Sequence, residues 1–370
     1  MLKFRLVFLL LLIPAAFFAQ SRDQAEKKMH RDSLMKKWNT RDTNYVRLYP
    51  ERFIVTLSQS YREYDIGFWQ TLSEDTIGWG SPMLKAGSNW STGGSIDFDK
   101  ISFSFGLGGK ESTAADIRKY GTTTHKAFNL SFSAYRFRVE SSYRNYHGFY
   151  YANSRIYDTL NYDSTGSFLQ NPSANVRSLR VKTIFILNKK HFSYAAAYYN
   201  TQRQLKSAGS WLLINNIYQN RWTTDTSFIP LPAQSLYQDY ARLNYFKVFG
   251  ISLGPGYSYN LVLWKTLYAN ATITSAFDVQ HRTYNTSLGT EPADYWKIGY
   301  AGDLRLAIGL NGKRCFFSFT FRGDYNNYVS RGIRVGTAYY ALDFNLGYRF
   351  RSPHGKLVQK MQANKWYQML

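Results

Sequence analysis

The chain has 370 residues, with 46 Lys+Arg against 24 Asp+Glu, a formal net charge of +22, and a single cysteine, Cys315. One thiol excludes a disulfide framework and a cysteine-based zinc site. A hydrophobic content of 44%, including 18% aromatics, excludes intrinsic disorder, and past the N-terminus no apolar run is long enough for a membrane-spanning helix.

Residues 1–20 read as a secretory signal peptide. Lys3 and Arg5 precede the apolar run Leu6–Ile13, and Pro14 and small residues follow it, with cleavage expected near Ala19 or Ala16. The run is too short to span a bilayer, and no Cys follows it as a lipoprotein would need. Losing Lys3 and Arg5 leaves 44 basic against 24 acidic residues, a balance of +20. For an exported chain the counter-charges expected are lipid head groups or lipopolysaccharide phosphates, and nucleic acid is not an expected partner. Residues 21–50 are polar and mixed in charge, with only a thin apolar stripe of Met29, Leu34, Met35 and Trp38. They read as a short periplasmic segment.

From residue 51 the period becomes two. Ile101, Phe103, Phe105 and Leu107 alternate with Ser102, Ser104, Gly106 and Gly108. Leu304, Leu306, Ile308 and Leu310 alternate with Asp303, Arg305, Ala307 and Gly309, and the same holds around Phe128, Phe319 and Phe344. A soluble β-sandwich would place the bulky face in a core, whereas a transmembrane barrel would place it in lipid. Export, the small residues on the polar face, and aromatics near strand ends (Tyr143, Tyr146, Phe149, Tyr150, Tyr151) favour the barrel.

Twelve strands are expected, at 52–64, 84–97, 100–108, 126–137, 139–151, 177–188, 191–203, 244–259, 266–280, 297–310, 314–326 and 337–350. Tight turns at Asp97–Lys100, Asn188–Lys190 and Asn311–Gly312 alternate with long connections at 65–83, 109–125, 152–176 and 281–296. Asn311-Gly312 suits a two-residue type I′ turn, a register that sets Asp303 opposite Thr320 and diagonal to Arg322. Residues 204–222 also resemble a strand, but counting them gives thirteen, and bacterial single-chain barrels have even numbers. That segment is therefore expected to extend 191–203 or fold into the barrel mouth, the alternative being a fourteen-stranded wall. The aromatic-ended last strand, Gly336–Phe350, resembles the signal read by the outer-membrane assembly machinery, and residues 351–370 read as a basic periplasmic tail.

The stretches 143–151 (YRNYHGFYY) and 182–213, with Ser178–Arg180 and Gly254–Tyr257, carry a family resemblance. The chain resembles the Bacteroidota domain-of-unknown-function family 4421 over about residues 40–350. The resemblance implies an outer-membrane-type barrel and brings no activity with it.

Two sets of residues could carry chemistry. Ser207 or Ser210, in the small polar run 202–210, could act as a nucleophile on lipid with His191 or His147 as base, but this needs contact that the spacing of His191 and Ser207 makes doubtful. The competing reading is a glycine-containing bend whose hydroxyls bond the backbone. Arg180, Lys182, Arg203, Asp303, Arg305, Arg322, Asp324, Asp343 and Arg349 all fall on the inward parity. They would set solute preference in a pore or form paired networks in a filled barrel. No cofactor and no metal site is expected. The reading is an all-β, antiparallel up-and-down transmembrane barrel over 51–350. Its expected role is non-enzymatic: a narrow or gated channel for a small solute, or a structural barrel contacting lipopolysaccharide. A membrane-embedded hydrolase or acyltransferase and a secreted soluble sandwich are the alternatives.

Overall fold

Alternating bulky and small residues make long strands whose two faces differ, and such strands are stable only if each face finds its own solvent. In the computed structural model they close on themselves. Residues 41–50, 52–70, 81–87, 90–108, 113–285, 293–329 and 333–351 are described. The expected signal peptide, most of the N-terminal segment and the tail lie outside them. Asp42–Leu370 form one compact unit, and of the other unit, Met1–Arg41, only Arg41 is described.

The strands in chain order are β1 (Val46–Leu48), β2 (Arg52–Gln70), β3 (Met83–Lys85), β4 (Trp90–Phe98), β5 (Ile101–Gly108), β6 (Thr124–Ser133), β7 (Phe137–Tyr151), β8 (Gln170–Ile186), β9 (Gln202–Gln204), β10 (Ala208–Thr223), β11 (Tyr245–Leu263), β12 (Leu267–Tyr284), β13 (Ala293–Asn311), β14 (Cys315–Val329) and β15 (Ile333–Arg351). Twelve of them form an antiparallel ring in sequence order from β2 to β15, closed by β15 pairing with β2 (Phe350↔Phe53, Leu342↔Tyr61). The short strand β3 bridges β2 and β7 beyond the ends of β4 to β6. Closure leaves the wall without an edge. An even count puts the starts and ends of the wall at one rim.

The bulky rows face outward. Phe103, Leu107, Leu130, Ile308, Phe319, Leu342 and Leu346 are each 43–56% exposed, while Ser102, Ser131, Arg305, Ser318 and Asp343 are buried. A second sheet covering the apolar rows is therefore excluded, and with it the sandwich reading. Not every expected girdle aromatic faces outward. Tyr146, Phe149 and Tyr151 are buried in the lumen, Tyr150 is half-buried, and only Tyr143 of the five is exposed. A register shift between His147 and Phe149 swaps the inward parity from even to odd, with Gly148 at φ +85° in the bend.

One rim carries short turns at Asp99–Lys100, 134–136, 264–266 and 312–314, and the other carries long connections, among them 224–244. Three expectations fail here. Residues 204–222 were expected to extend 191–203 or fold into the barrel mouth, but 208–223 are strand β10, paired with β8 on one side and β11 on the other. Residues 191–203, expected as a strand, are the ones that leave it. The parity rule held at twelve, but it was applied to the wrong one of two neighbouring segments. Third, Asn311 pairs with Phe316, so Asp303 lies opposite Asp324 and Thr320 lies opposite Ala307. Neither Asn311 nor Gly312 adopts positive φ, so the turn is not the two-residue type I′ form. The Asn311 side chain is recruited elsewhere, as described next.

Candidate functional site in the barrel lumen

Residues 187–207 leave the wall at the short-turn rim and enter the lumen. Ser193 starts the short helix Tyr194–Tyr198 as its N-cap, its hydroxyl accepting from Ala196 N–H at 3.1 Å. Small residues at Ala195, Ala196 and Ala197 let the helix lie against the wall, and all three are buried. β9 then pairs with β1 (Val46↔Gln204, Leu48↔Gln202), so residues 42–49 join the same plug. Asp42 N–H donates to Lys190 O at 3.1 Å, and Leu205 N–H donates to Tyr45 O at 2.7 Å. The wall holds the plug mainly through side chains reaching its backbone. Asn260 Nδ2 donates to Ser193 O at 2.9 Å, Tyr268 Oη to Ala197 O at 2.9 Å, and Asn311 Nδ2 to Gln202 O at 3.1 Å. Arg203, one of the expected lumen residues, lies on the plug itself, and its guanidinium donates to Lys265 O in a rim turn at 2.7 Å.

Beyond the plug lies a belt of charge. The β13–β14 register sets Asp303 against Asp324 and Arg305 against Arg322, like charge against like. Such pairs repel unless other groups neutralise them, and the partners come from β7 and β8 across the lumen and from the neighbouring β15. Lys182 Nζ meets Asp303 at 2.9 Å, Arg180 meets Asp324 at 3.4 Å, and Arg322 meets Asp343 at 3.2 Å. Arg305 reaches Glu140 on β7 at 3.2 Å as well as Asp303 at 3.2 Å. Arg62 lies 3.5 Å from Asp343, and Arg144 lies 3.7 Å from Asp324. Tyr199 on the plug donates to Glu140 at 2.5 Å, and Arg138 stacks over the Tyr199 ring at 3.5 Å. The plug and the belt are thus one network.

Arg62, Arg138, Glu140 and Arg144 were not among the expected lumen residues. The signal for them was present, since all four sit on the inward parity of β2 and β7. Tyr194, Tyr198 and Tyr199 had no such signal, because their segment reads as strand.

The belt is not packed solid. A cavity of about 100 Å³ lies between Tyr198, Tyr199 and Asn200 of the plug and a wall of Thr56, Gly93, Ser95 and Ser104. A second, of about 80 Å³, lies among Asn129, Ser131, Arg144, Arg180, Lys182 and Arg322. At the long-loop rim the lumen becomes aromatic. Tyr64, Phe68, Tyr146, Tyr218, Trp222, Phe246, Tyr284 and Tyr328 form one buried cluster with Phe228, Ile229, Tyr237 and Tyr240 of the 224–244 connection. Trp222 stacks on Phe246 at 5.0 Å, and Phe68 stacks on Phe228 at 5.6 Å. Arg282 donates to Val329 O there.

The nucleophile candidates take a different form. Ser207 Oγ accepts from Val262 N–H at 2.9 Å. Ser210 Oγ accepts from Asn188 N–H at 2.9 Å and donates to Trp211 O at 2.8 Å. His191 faces Asp42 at 3.7 Å and packs against the Tyr45 ring at 4.4 Å. His147 is exposed near the opposite rim, at the far end of β7. Both hydroxyls therefore serve backbone groups, as the bend reading requires. Among the described residues no group of three His, Cys, Asp or Glu side chains could hold a metal.

One family model matches residues 40–350, the span that contains this closed twelve-stranded wall and its plug. The chain belongs to the family described as Domain of unknown function (DUF4421). No curated protein matches the DUF4421 chain. Among solved structures it is similar in outline to the outer membrane protease OmpT from Escherichia coli, at 8% identity and a TM-score of 0.36, over 81% of this chain and 97% of that one. The translocator domain of the autotransporter NalP from Neisseria meningitidis matches at 9% identity and a TM-score of 0.32, over 88% and 96%. The Pseudomonas putida toluene transporter TodX matches at 9% and 0.29, over 82% and 90%.

Proposed function

We propose that the DUF4421 barrel spans the outer membrane of a Gram-negative bacterium, exported by residues 1–20 and inserted by the outer-membrane assembly machinery. The short turns, the N-terminal segment and the basic tail then face the periplasm, and the long connections face outward. The support is the outward apolar surface on a closed wall, which only acyl chains would solvate favourably.

Within that membrane the reading is a non-enzymatic, gated conduit for a small polar solute. The observation that carries it is the side-chain-tethered plug beside unfilled polar cavities. A purely structural barrel would gain most from a packed lumen, whereas this lumen keeps space along one wall of small residues. The second reading, a structural barrel contacting lipopolysaccharide, is favoured by basic residues on the outer face.

Planar-bilayer recording tests the gate. The wild-type chain should be nearly silent, and a variant lacking residues 190–206 should conduct. Silence in both, with correct heat-modifiable folding, would leave the structural reading. Extraction into buffer without detergent would remove the membrane reading itself.

A further inference from the structure

The outward face carries one feature that the apolar band does not predict. Lys126 on β6 pairs with Asn145 on β7, and Asn145 pairs with Arg177 on β8. Arg177 pairs with Arg221 on β10, and Arg221 pairs with Lys247 on β11. Four cations therefore lie along one hydrogen-bonded row across five strands, about 19 Å long at the usual strand spacing. Lys126, Arg177 and Arg221 are exposed and Lys247 is half-buried. Arg177 donates to Asn175 at 3.1 Å and Arg221 lies over the Tyr245 ring at 5.2 Å. Among the described residues none of the four has a carboxylate partner.

Two of these contacts, Arg177 with Arg221 and Arg221 with Lys247, set like charges directly opposite each other, an arrangement that is unfavourable by itself. In the lumen the same problem is solved by carboxylates, Asp303, Asp343 and Glu140, set around the arginine pair. On the outside no described carboxylate reaches ion-pair distance of these four, which leaves the row open to an external anion. The next outward row toward the short-turn rim is Phe128, Tyr143, Leu179, Gln219 and Phe249, and below it lie Leu130, Ile217 and Ile251. The cations thus sit at the long-loop edge of the apolar band, where head groups would lie if the wall spans a membrane.

We propose that this row binds the phosphate groups of a phosphorylated, multiply acylated glycolipid in the leaflet facing the long connections, with the acyl chains lying on the apolar rows beneath. The inference rests on the membrane-spanning reading and names the surface at which that membrane is recognised. Two guanidiniums flanked by two ammonium groups offer forked donors and point charges to adjacent phosphates.

The test uses the full chain purified in non-ionic detergent and followed by native mass spectrometry. Three probes are titrated: diphosphorylated lipid A, the same lipid with its phosphates removed, and inorganic phosphate. Phosphorylated lipid A should bind at least tenfold more tightly than the phosphate-free lipid, and inorganic phosphate should not compete at equal concentration. The triple substitution Arg177→Gln, Arg221→Gln, Lys247→Gln should abolish the discrimination. Arg155→Gln, on an exposed helix of a long connection, should leave it intact. If the triple variant fails to fold, Arg221→Gln alone should weaken phosphorylated lipid A at least threefold. Equal affinity for the two lipids, or discrimination unchanged by these substitutions, overturns the proposal. That result in a heat-modifiable barrel overturns the lipid site alone, whereas a chain that stays soluble without detergent overturns the membrane reading.

Discussion

Arg349, near the end of the last wall strand, donates from Nη2 to the backbone carbonyl of Asn200 in the plug at 2.5 Å. The same guanidinium reaches Asn311 Oδ1 and Gly312 O, each at 2.7 Å, and packs over the Tyr49 ring at 4.5 Å. One side chain therefore ties together the final strand, a rim turn and both segments of the plug. Asn200 is held at φ +53°, a conformation an isolated segment would seldom keep.

Arg349→Ala should loosen the plug before it loosens the wall. Losing three charge-assisted hydrogen bonds, two of them buried, should cost about 4–9 kcal/mol. The expected result is higher open probability in bilayers with near-normal heat-modifiable migration. Arg349→Lys should restore little, because an ammonium cannot reproduce the planar fork that spans these acceptors. Unchanged conductance in the alanine variant would mean that the guanidinium does not hold the plug.

Asp303→Asn should strand Lys182 Nζ, 2.9 Å away, in the middle of the lumen. Removing one partner of a buried pair costs about 3–5 kcal/mol. Urea titration of the refolded barrel in detergent would measure this. Combining it with Lys182→Met should recover part of the loss, since the stranded charge is then gone. A double variant less stable than Asp303→Asn alone would contradict the pairing.

Gly148→Ala tests the parity switch in β7. A Cβ there would run into the Thr122 carbonyl, and the positive φ adds strain. The expected loss is about 1–3 kcal/mol. Tyr146 and Phe149 lie on either side of the bend, so the aromatic cluster should loosen with it, seen as earlier exposure of tyrosine fluorescence on denaturant titration. A neutral substitution would mean the bend is not needed to aim those rings.

Ser210→Ala should act on stability and not on chemistry. Its hydroxyl accepts from Asn188 N–H where the chain leaves and re-enters the wall. Leaving that half-buried donor unpaired should cost about 1 kcal/mol. Lipid-ester hydrolysis should stay at the detergent blank in wild type and in Ser207→Ala and Ser210→Ala alike. Hydrolysis above the blank that disappears with either substitution would revive the nucleophile reading.

Most of the wall was legible because alternation is a local property. The rows at Phe103, Ile308 and Phe344 announce an outward face whatever their partners are. Inward parity placed Arg180, Lys182, Asp303, Arg305, Arg322, Asp324, Asp343 and Arg349 inside the wall, and the same rule extended to β2 and β7 would have reached Arg62 and Glu140. Where alternation lapses, legibility ends. The bend at Gly148 turned two expected girdle rings inward. The Asn-Gly pair at 311–312 pointed to a two-residue turn, whereas the chain turns over 312–314 and the Asn311 side chain binds the plug.

By itself, then, the sequence determined period-two strands that favoured a barrel of about twelve, and which bulky rows share one face where alternation is unbroken, since period two follows from strand geometry alone. Only the tertiary structure decided which of two strand-like neighbours, 191–203 or 208–223, stands in the wall. Both are compatible with a pleat. The choice depends on long-range pairing of Ala208–Thr223 with β8 and β11, and on wall side chains such as Asn260, Tyr268 and Arg349 that give the other segment's backbone its hydrogen bonds inside the barrel.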